Sequence, residues 1–165
     1  MSLALRVLFG LALMLCASLA PALAPTQAQA QAQAQERRFT HTGVQADAKR
    51  YETYLRANWQ PGKKSARELR TEADKALAAS TDPRAASRAY AQAVVADAND
   101  ADAWLGLARA LLAIKAEQGS ERYDLPVNAS GAALIAYERG QTPAFKASAL
   151  WVLHEALKRR SYWRP

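Results

Sequence analysis

The stretch "NDADAWLGLARALLAIK", residues 99–115, decides how the chain is read. Asp100 stands ahead of it as a candidate helix N-cap. Trp104, Leu107, Ala108 and Leu111 follow at spacings of three and four, which sets them on one face of a helix. The tetratricopeptide pattern is a helix hairpin of about 34 residues, W-x2-L-G-x2-Y in its first helix and A-x3-F in its second. Trp104-x2-Leu107-Ala108-x2-Leu111 matches the first half, with Ala108 for the glycine and Leu111 for the tyrosine. Ala86-x3-Tyr90, followed by Ala93, matches the second half of the unit before it. Alanine belongs where two helix backbones approach closely, and an aromatic plugs the gap between hairpins. Ala86, Tyr90, Ala93, Trp104, Leu107, Ala108 and Leu111 are therefore expected to be packing residues, with Trp104 a plug and not a ligand platform.

Working towards the N-terminus, helices end and restart at recognisable signals. Ser65 with Glu68 has capping-box spacing, and Leu69, Ala73 and Leu77 form the stripe of a helix over Ser65–Ala79. Asp82-Pro83 restarts the chain as N-cap and first helical residue, and the next helix runs to Asp97. From Gln45 to Trp59 a further helix carries Tyr51, Leu55 and Trp59 on one face, expected to dock on the rest, and Pro61-Gly62 stops it. No segment alternates in the two-residue period of a strand. The expected fold is all-α, a tetratricopeptide-like array of antiparallel hairpins.

Towards the C-terminus the pattern returns as Ala133-x3-Tyr137, and Tyr137 precedes Trp151 by the interval that separates Tyr90 from Trp104. Leu150, Leu153 and Leu157 offer a competing register one residue earlier. Between the two copies lies "KAEQGSERYDLPVN", residues 115–128, read as an inserted loop. Its large or stiff residues Arg122, Tyr123, Asp124 and Pro126 are candidates for a protein contact, or for a clasp over the hairpin groove. Asn128 heads Asn128-Ala129-Ser130, a glycosylation triplet more simply explained by helix capping.

The N-terminus reads as an export signal. Arg6 precedes an apolar run to about Ala20, and small residues follow, so residues 1–30 are expected to be a signal peptide. Membrane contact is expected only through an uncleaved signal. Cys16, the one cysteine, lies inside that run, leaving the mature chain without disulfide or thiolate chemistry. Residues 31–43 are expected to be a disordered Gln/Ala-rich leader, and residues 44–165 the repeat domain. The formal charge of +7 raises the question of nucleic acid, but export and interspersed charges argue against it. Lys158-Arg159-Arg160 suits a helix C-terminus. The last segment, "ALWVLHEALKRRSYWRP", holds one helix, a turn aromatic at Trp163, and Pro165 where a partner helix would start. A solenoid ending there has no polar capping helix, so the chain is expected to be the N-terminal piece of something longer.

The segments "RFTHTGVQADAKRYETYLRANW", "DPRAASRAYAQAVVADANDADAWLGLARALLAIK", "GSERYDLPVNASGAALIAYERG" and "ALKRRSYWRP" together resemble the N-terminal region of bacterial alpha-2-macroglobulin family proteins. There, a signal peptide and a helical-repeat segment precede a series of macroglobulin β-domains. The resemblance implies a periplasmic protein that traps or blocks proteases, with this segment as scaffold or docking module. Trapping in the family uses a bait region and commonly a C-x-E-Q thioester; no such motif occurs here, so no functional residue carries over. A free-standing periplasmic adaptor binding an envelope protein is the alternative.

The sequence offers no enzyme chemistry. His154-Glu155 lacks the second histidine of a zinc protease, and His154 is read as a helix-surface residue. There is no phosphate-binding glycine loop and no nucleophile elbow. No metal, cofactor or small-molecule substrate is expected; the expected partner is a protein.

Overall fold

The computed structural model describes residues 27–60, 62–79, 82–117 and 119–161, with side chains over 43–160. The expected signal peptide up to residue 26, Cys16 within it, and the terminal Trp163 and Pro165 lie outside these residues. Among the described residues there are six helices and no strand: α1 (Gln27–Asn58), α2 (Ala66–Ala78), α3 (Pro83–Ala96), α4 (Ala101–Ala113), α5 (Glu121–Arg139) and α6 (Pro143–Ser161). The chain divides into two compact units, Met1–Phe39 and Thr40–Pro165. The N-terminal part of α1 belongs to the first unit, and the rest of α1 with all the other helices to the second.

The helix starts follow their caps. Ser65 and Glu68 form a reciprocal capping box on α2, satisfying two amide donors that a helix start leaves open. Asp82 accepts from the Ala85 amide at 2.9 Å with Pro83 in the first helical position. Asp100 accepts from the Ala103 amide at 3.0 Å. These short connections fold consecutive helices back on each other. Each helix from α2 to α6 packs on the next, and α2 touches α4 as α4 touches α6. Tyr90 of α3 reaches Asp74 of α2, and Arg160 at the end of α6 reaches Ser130 in α5.

α5 is the centre of the second unit. Ala129 through Ala136 are all buried, on every side of the helix. Half of this stretch is alanine, beside Ser130, Gly131, Leu134 and Ile135, and its small side chains let other helices come close. Gly131 faces the backbone of Ala48, where an added Cβ would stand 3.0 Å from the Ala48 Cα. The C-terminal half of α1 therefore lies along α5, held by the stripe Val44, Ala48, Tyr51 and Leu55, all buried. Trp59, the last of the expected docking stripe, is partly buried. The opposite side of α1 is polar, with Lys49, Arg50, Thr53 and Arg56 exposed. The buried hydroxyl of Ser130 donates to the Val127 carbonyl at 2.8 Å and accepts from Arg160 at 3.1 Å.

Four expectations are corrected. Helix α1 takes in residues 31–43, expected to be a disordered leader; glutamine and alanine are both good helix formers, and low complexity says nothing against that preference. Arg122–Pro126 are not a loop but the first turns of α5. Pro126 brings no N–H to the helix ladder, yet its ring is buried, and that packing overrides the local break. Asn128 consequently sits inside α5 and caps nothing. In α6 neither expected register holds: Ala149, Val152 and Ala156 are buried, Leu153 and Leu157 only partly, and Leu150 and Trp151 are exposed. Against the small-residue wall of α5, volume and not hydropathy selects the inward face.

Candidate functional site

The residues singled out for a protein contact do not form one surface. Successive helical positions turn by about 100°, so Arg122, Tyr123 and Asp124, all exposed, point to different sides of α5. Arg122 and Pro126, one turn apart, share the side that borders a cleft of about 460 Å³. Its floor is aliphatic, built from Leu111 and Leu112 at the end of α4, Ile114 in the connector, and Leu125 and Pro126 in α5. Arg159 comes in from α6 and donates to the Leu112 carbonyl, one of those that a helix end leaves open. Glu121 also borders the cleft, but it is locked in a two-point ion pair with Arg84 of α3, both bonds 2.9 Å. The Arg84 hydrogen bond holds the Glu121 carboxyl below its usual range. This pair fastens the start of α5 to α3.

A second cleft of about 440 Å³ opens between α2, α3 and α4 and is polar. Tyr90 donates to Asp74 at 2.5 Å; burial first, and then this bond, push its hydroxyl pKa well above the ordinary tyrosine value. Arg70 bridges Asp100 at 2.8 Å and Asp102 at 3.2 Å. The ring of Tyr90 lies against Gly106, where a Cβ would come within 2.8 Å of its hydroxyl oxygen. The expected packing residues Ala86, Tyr90, Ala93, Trp104, Leu107, Ala108 and Leu111 are all buried, and Tyr137 is partly buried beneath Lys146.

Three arginines that local spacing did not single out tie the helices together. Arg139 lies 5.4 Å above the Trp104 ring, donates to the Ala98 carbonyl, and pairs with Glu52 of α1 at 2.9 Å. Arg160 pairs with Asp47 of α1 at 2.8 Å. With Arg159 on α4, two members of the basic run Lys158-Arg159-Arg160 join α6 to its neighbours. Only long-range placement reveals these partners; for Arg159 and Arg160 the sequence signal was the basic run itself, and Arg139 had none.

Glu52 gives this network a pH dependence. Burial pushes its carboxyl pKa up, but hydrogen bonds and charge from Arg139 and Arg56 outweigh that and hold it below the ordinary 4.5. A carboxyl with a lowered folded pKa stabilises the fold above its unfolded value, and the contribution is lost as pH falls through the folded one. The melting temperature of the native chain should exceed that of Glu52→Gln above pH 4.5, the ordinary value. The gap should close on acidification below that pH. A gap that stays constant down to about pH 3 counts against the assignment.

The remaining conspicuous surface is on α6, where Leu150 is 47% and Trp151 66% exposed, flanked by exposed Ala147 and His154 one turn to either side. Among the described residues no group of histidine, cysteine and carboxylates is placed to hold a metal ion. None of their helices is long and apolar enough to cross a membrane. Comparison with protein-family models, with curated proteins and with solved structures gives no match.

Proposed function

We propose that the chain is a non-catalytic, exported helical-hairpin scaffold that docks a protein partner. In this reading it is the N-terminal part of an alpha-2-macroglobulin-like protease-trapping protein of the periplasm. The observation that carries the docking function is the outer side of α6. Val152 is 1% exposed while Leu150 and Trp151, on the same helix, stand at 47% and 66%. Large apolar side chains grouped on one exposed side mark interaction surfaces, and tryptophan is among the residues most enriched at binding hot spots. The alternate contacts of α2 with α4 and α4 with α6 support a tetratricopeptide-like stack, in which each hairpin leans on the next. The sequence resemblance supplies the occupant: a neighbouring domain of the same polypeptide.

One observation favours the alternative, a free-standing adaptor that binds an envelope protein. The polar outer side of α1, lying over α5, resembles the capping helix that ends a self-contained array. A photo-crosslinking residue in place of Trp151, in the chain expressed in its own host, separates the two. Crosslinks to macroglobulin-type domains of the same polypeptide are the expected result. Crosslinks to a separate envelope protein move the assignment to the adaptor, and none to any protein removes the docking function. Because Trp151 is exposed, Trp151→Ala should change the unfolding free energy by less than about 0.5 kcal/mol, so lost binding in that variant is not lost folding.

A further inference from the structure

We infer that the cleft bordered by α4, α5 and α6 is a binding site for a small amphipathic anion, an aliphatic chain ending in a carboxylate. Nothing in the sequence pattern pointed to a small-molecule ligand, and the site is separate from the α6 surface on which docking rests. The inference stands on the match between the floor and the rim. Leu112, Ile114 and Leu125 are only partly buried, so aliphatic surface stays open at the bottom of a cleft of about 460 Å³. That volume lies within the range of about 300–1,000 Å³ typical of small-ligand sites, which are mostly apolar with a few placed polar groups.

The polar groups here are two exposed guanidinium groups, Arg122 and Arg159. A guanidinium has five N–H donors in a planar fork that fits a carboxylate. Arg159 keeps donors for a ligand beyond the one given to the Leu112 carbonyl. The acidic residue on the lining, Glu121, has both carboxylate oxygens on Arg84, so its charge is compensated within the fold. The N-terminal end of α5 adds positive partial charge from the helix dipole beside Arg122. A cationic ligand therefore meets the like charge of Arg159 at the rim, and an uncharged one forgoes pairing with it. An aliphatic carboxylate satisfies both parts.

Calorimetric titration of the intact chain with hexanoate, octanoate and decanoate tests this, with decan-1-ol and a decyl-trimethylammonium salt as charge controls. Decanoate is expected to bind saturably at one site. Affinity should rise about three- to fourfold per methylene as the chain covers the floor, and decan-1-ol should bind at least about tenfold more weakly. Arg122→Gln, an exposed change that leaves the core intact, should weaken decanoate about tenfold without altering decan-1-ol. Leu125→Glu should remove binding of both, with the circular dichroism melt reporting whether the fold survives. The inference is overturned if decanoate shows no saturable binding or if decan-1-ol binds as well. It is equally overturned if Arg122→Gln binds decanoate as the unaltered chain does. None of these outcomes depends on which protein occupies α6.

Discussion

Trp104→Ala is expected to lower the unfolding free energy by about 3–5 kcal/mol, the usual cost of truncating a fully buried tryptophan. The ring is 1% exposed and lies where three elements meet. Its indole N–H donates to the Ala98 carbonyl at 2.8 Å, in the turn between α3 and α4. Arg139 of α5 covers the ring at 5.4 Å and donates to the same carbonyl. Truncation leaves a cavity, removes one hydrogen bond, and takes away the surface on which Arg139 rests. Losing the footing of Arg139 loosens its pair with Glu52, so the loss spreads to α1. Total stability of a small domain is about 5–15 kcal/mol, and the alanine variant will be marginal. Trp104→Phe keeps most of the volume without the N–H and should lose about 1–2 kcal/mol. Urea unfolding of both variants is the measurement. A loss below about 1 kcal/mol for the alanine variant would mean that the tryptophan is not the plug the packing makes it.

Local chemistry in this chain was legible because it is decided locally. Ser65 with Glu68, Asp82 with Pro83, and Asp100 each sit within three residues of the amides they satisfy, so the starts of α2, α3 and α4 could be read directly. The stripe through Tyr90 and Trp104 was legible for the same reason: helical spacing makes its members neighbours. What failed depended on a partner. The repeat pattern leaves residues 115–128 over as an inserted loop, whereas burial of Pro126 stabilises the first turns of α5 there. The inward face of α6 was assigned to its leucines because hydropathy was the only guide. Ala149 and Ala156 are buried instead, on a helix packed against the small-residue-rich α5. Tyr90 lies against Gly106 of α4, a residue that the repeat pattern does not single out. The aliphatic cleft joins residues from three helices and a connector, and no spacing in the sequence brings Arg122 to Arg159.

Gly131→Leu is expected to lift the C-terminal half of α1 from α5. At Gly131 an added Cβ would stand 3.0 Å from the Ala48 Cα, 3.2 Å from its amide nitrogen and 3.3 Å from the Asp47 carbonyl oxygen. All three atoms are backbone, so no side chain can rotate out of the way; α1 has to move. Alanine needs only a few tenths of an ångström. That strain is opposed by a gain of about 1 kcal/mol from replacing glycine inside a helix, so Gly131→Ala should be close to neutral. Leucine gains as much in helix preference but cannot be accommodated by so small a shift. Overpacking of this kind costs about 1–3 kcal/mol or more. Displacing α1 also uncovers Val44, Ala48, Tyr51 and Leu55 and separates Asp47 from Arg160 and Glu52 from Arg139. Trypsin provides a local readout, because Lys49, Arg50 and Arg56 lie exposed on α1 but are protected while it is helical and docked. Cleavage at these three sites should quicken in Gly131→Leu, remain slow in Gly131→Ala, and precede cleavage within α4 and α5. Equal rates in all three proteins, with stability unchanged in the leucine variant, would show that α1 is not seated on Gly131.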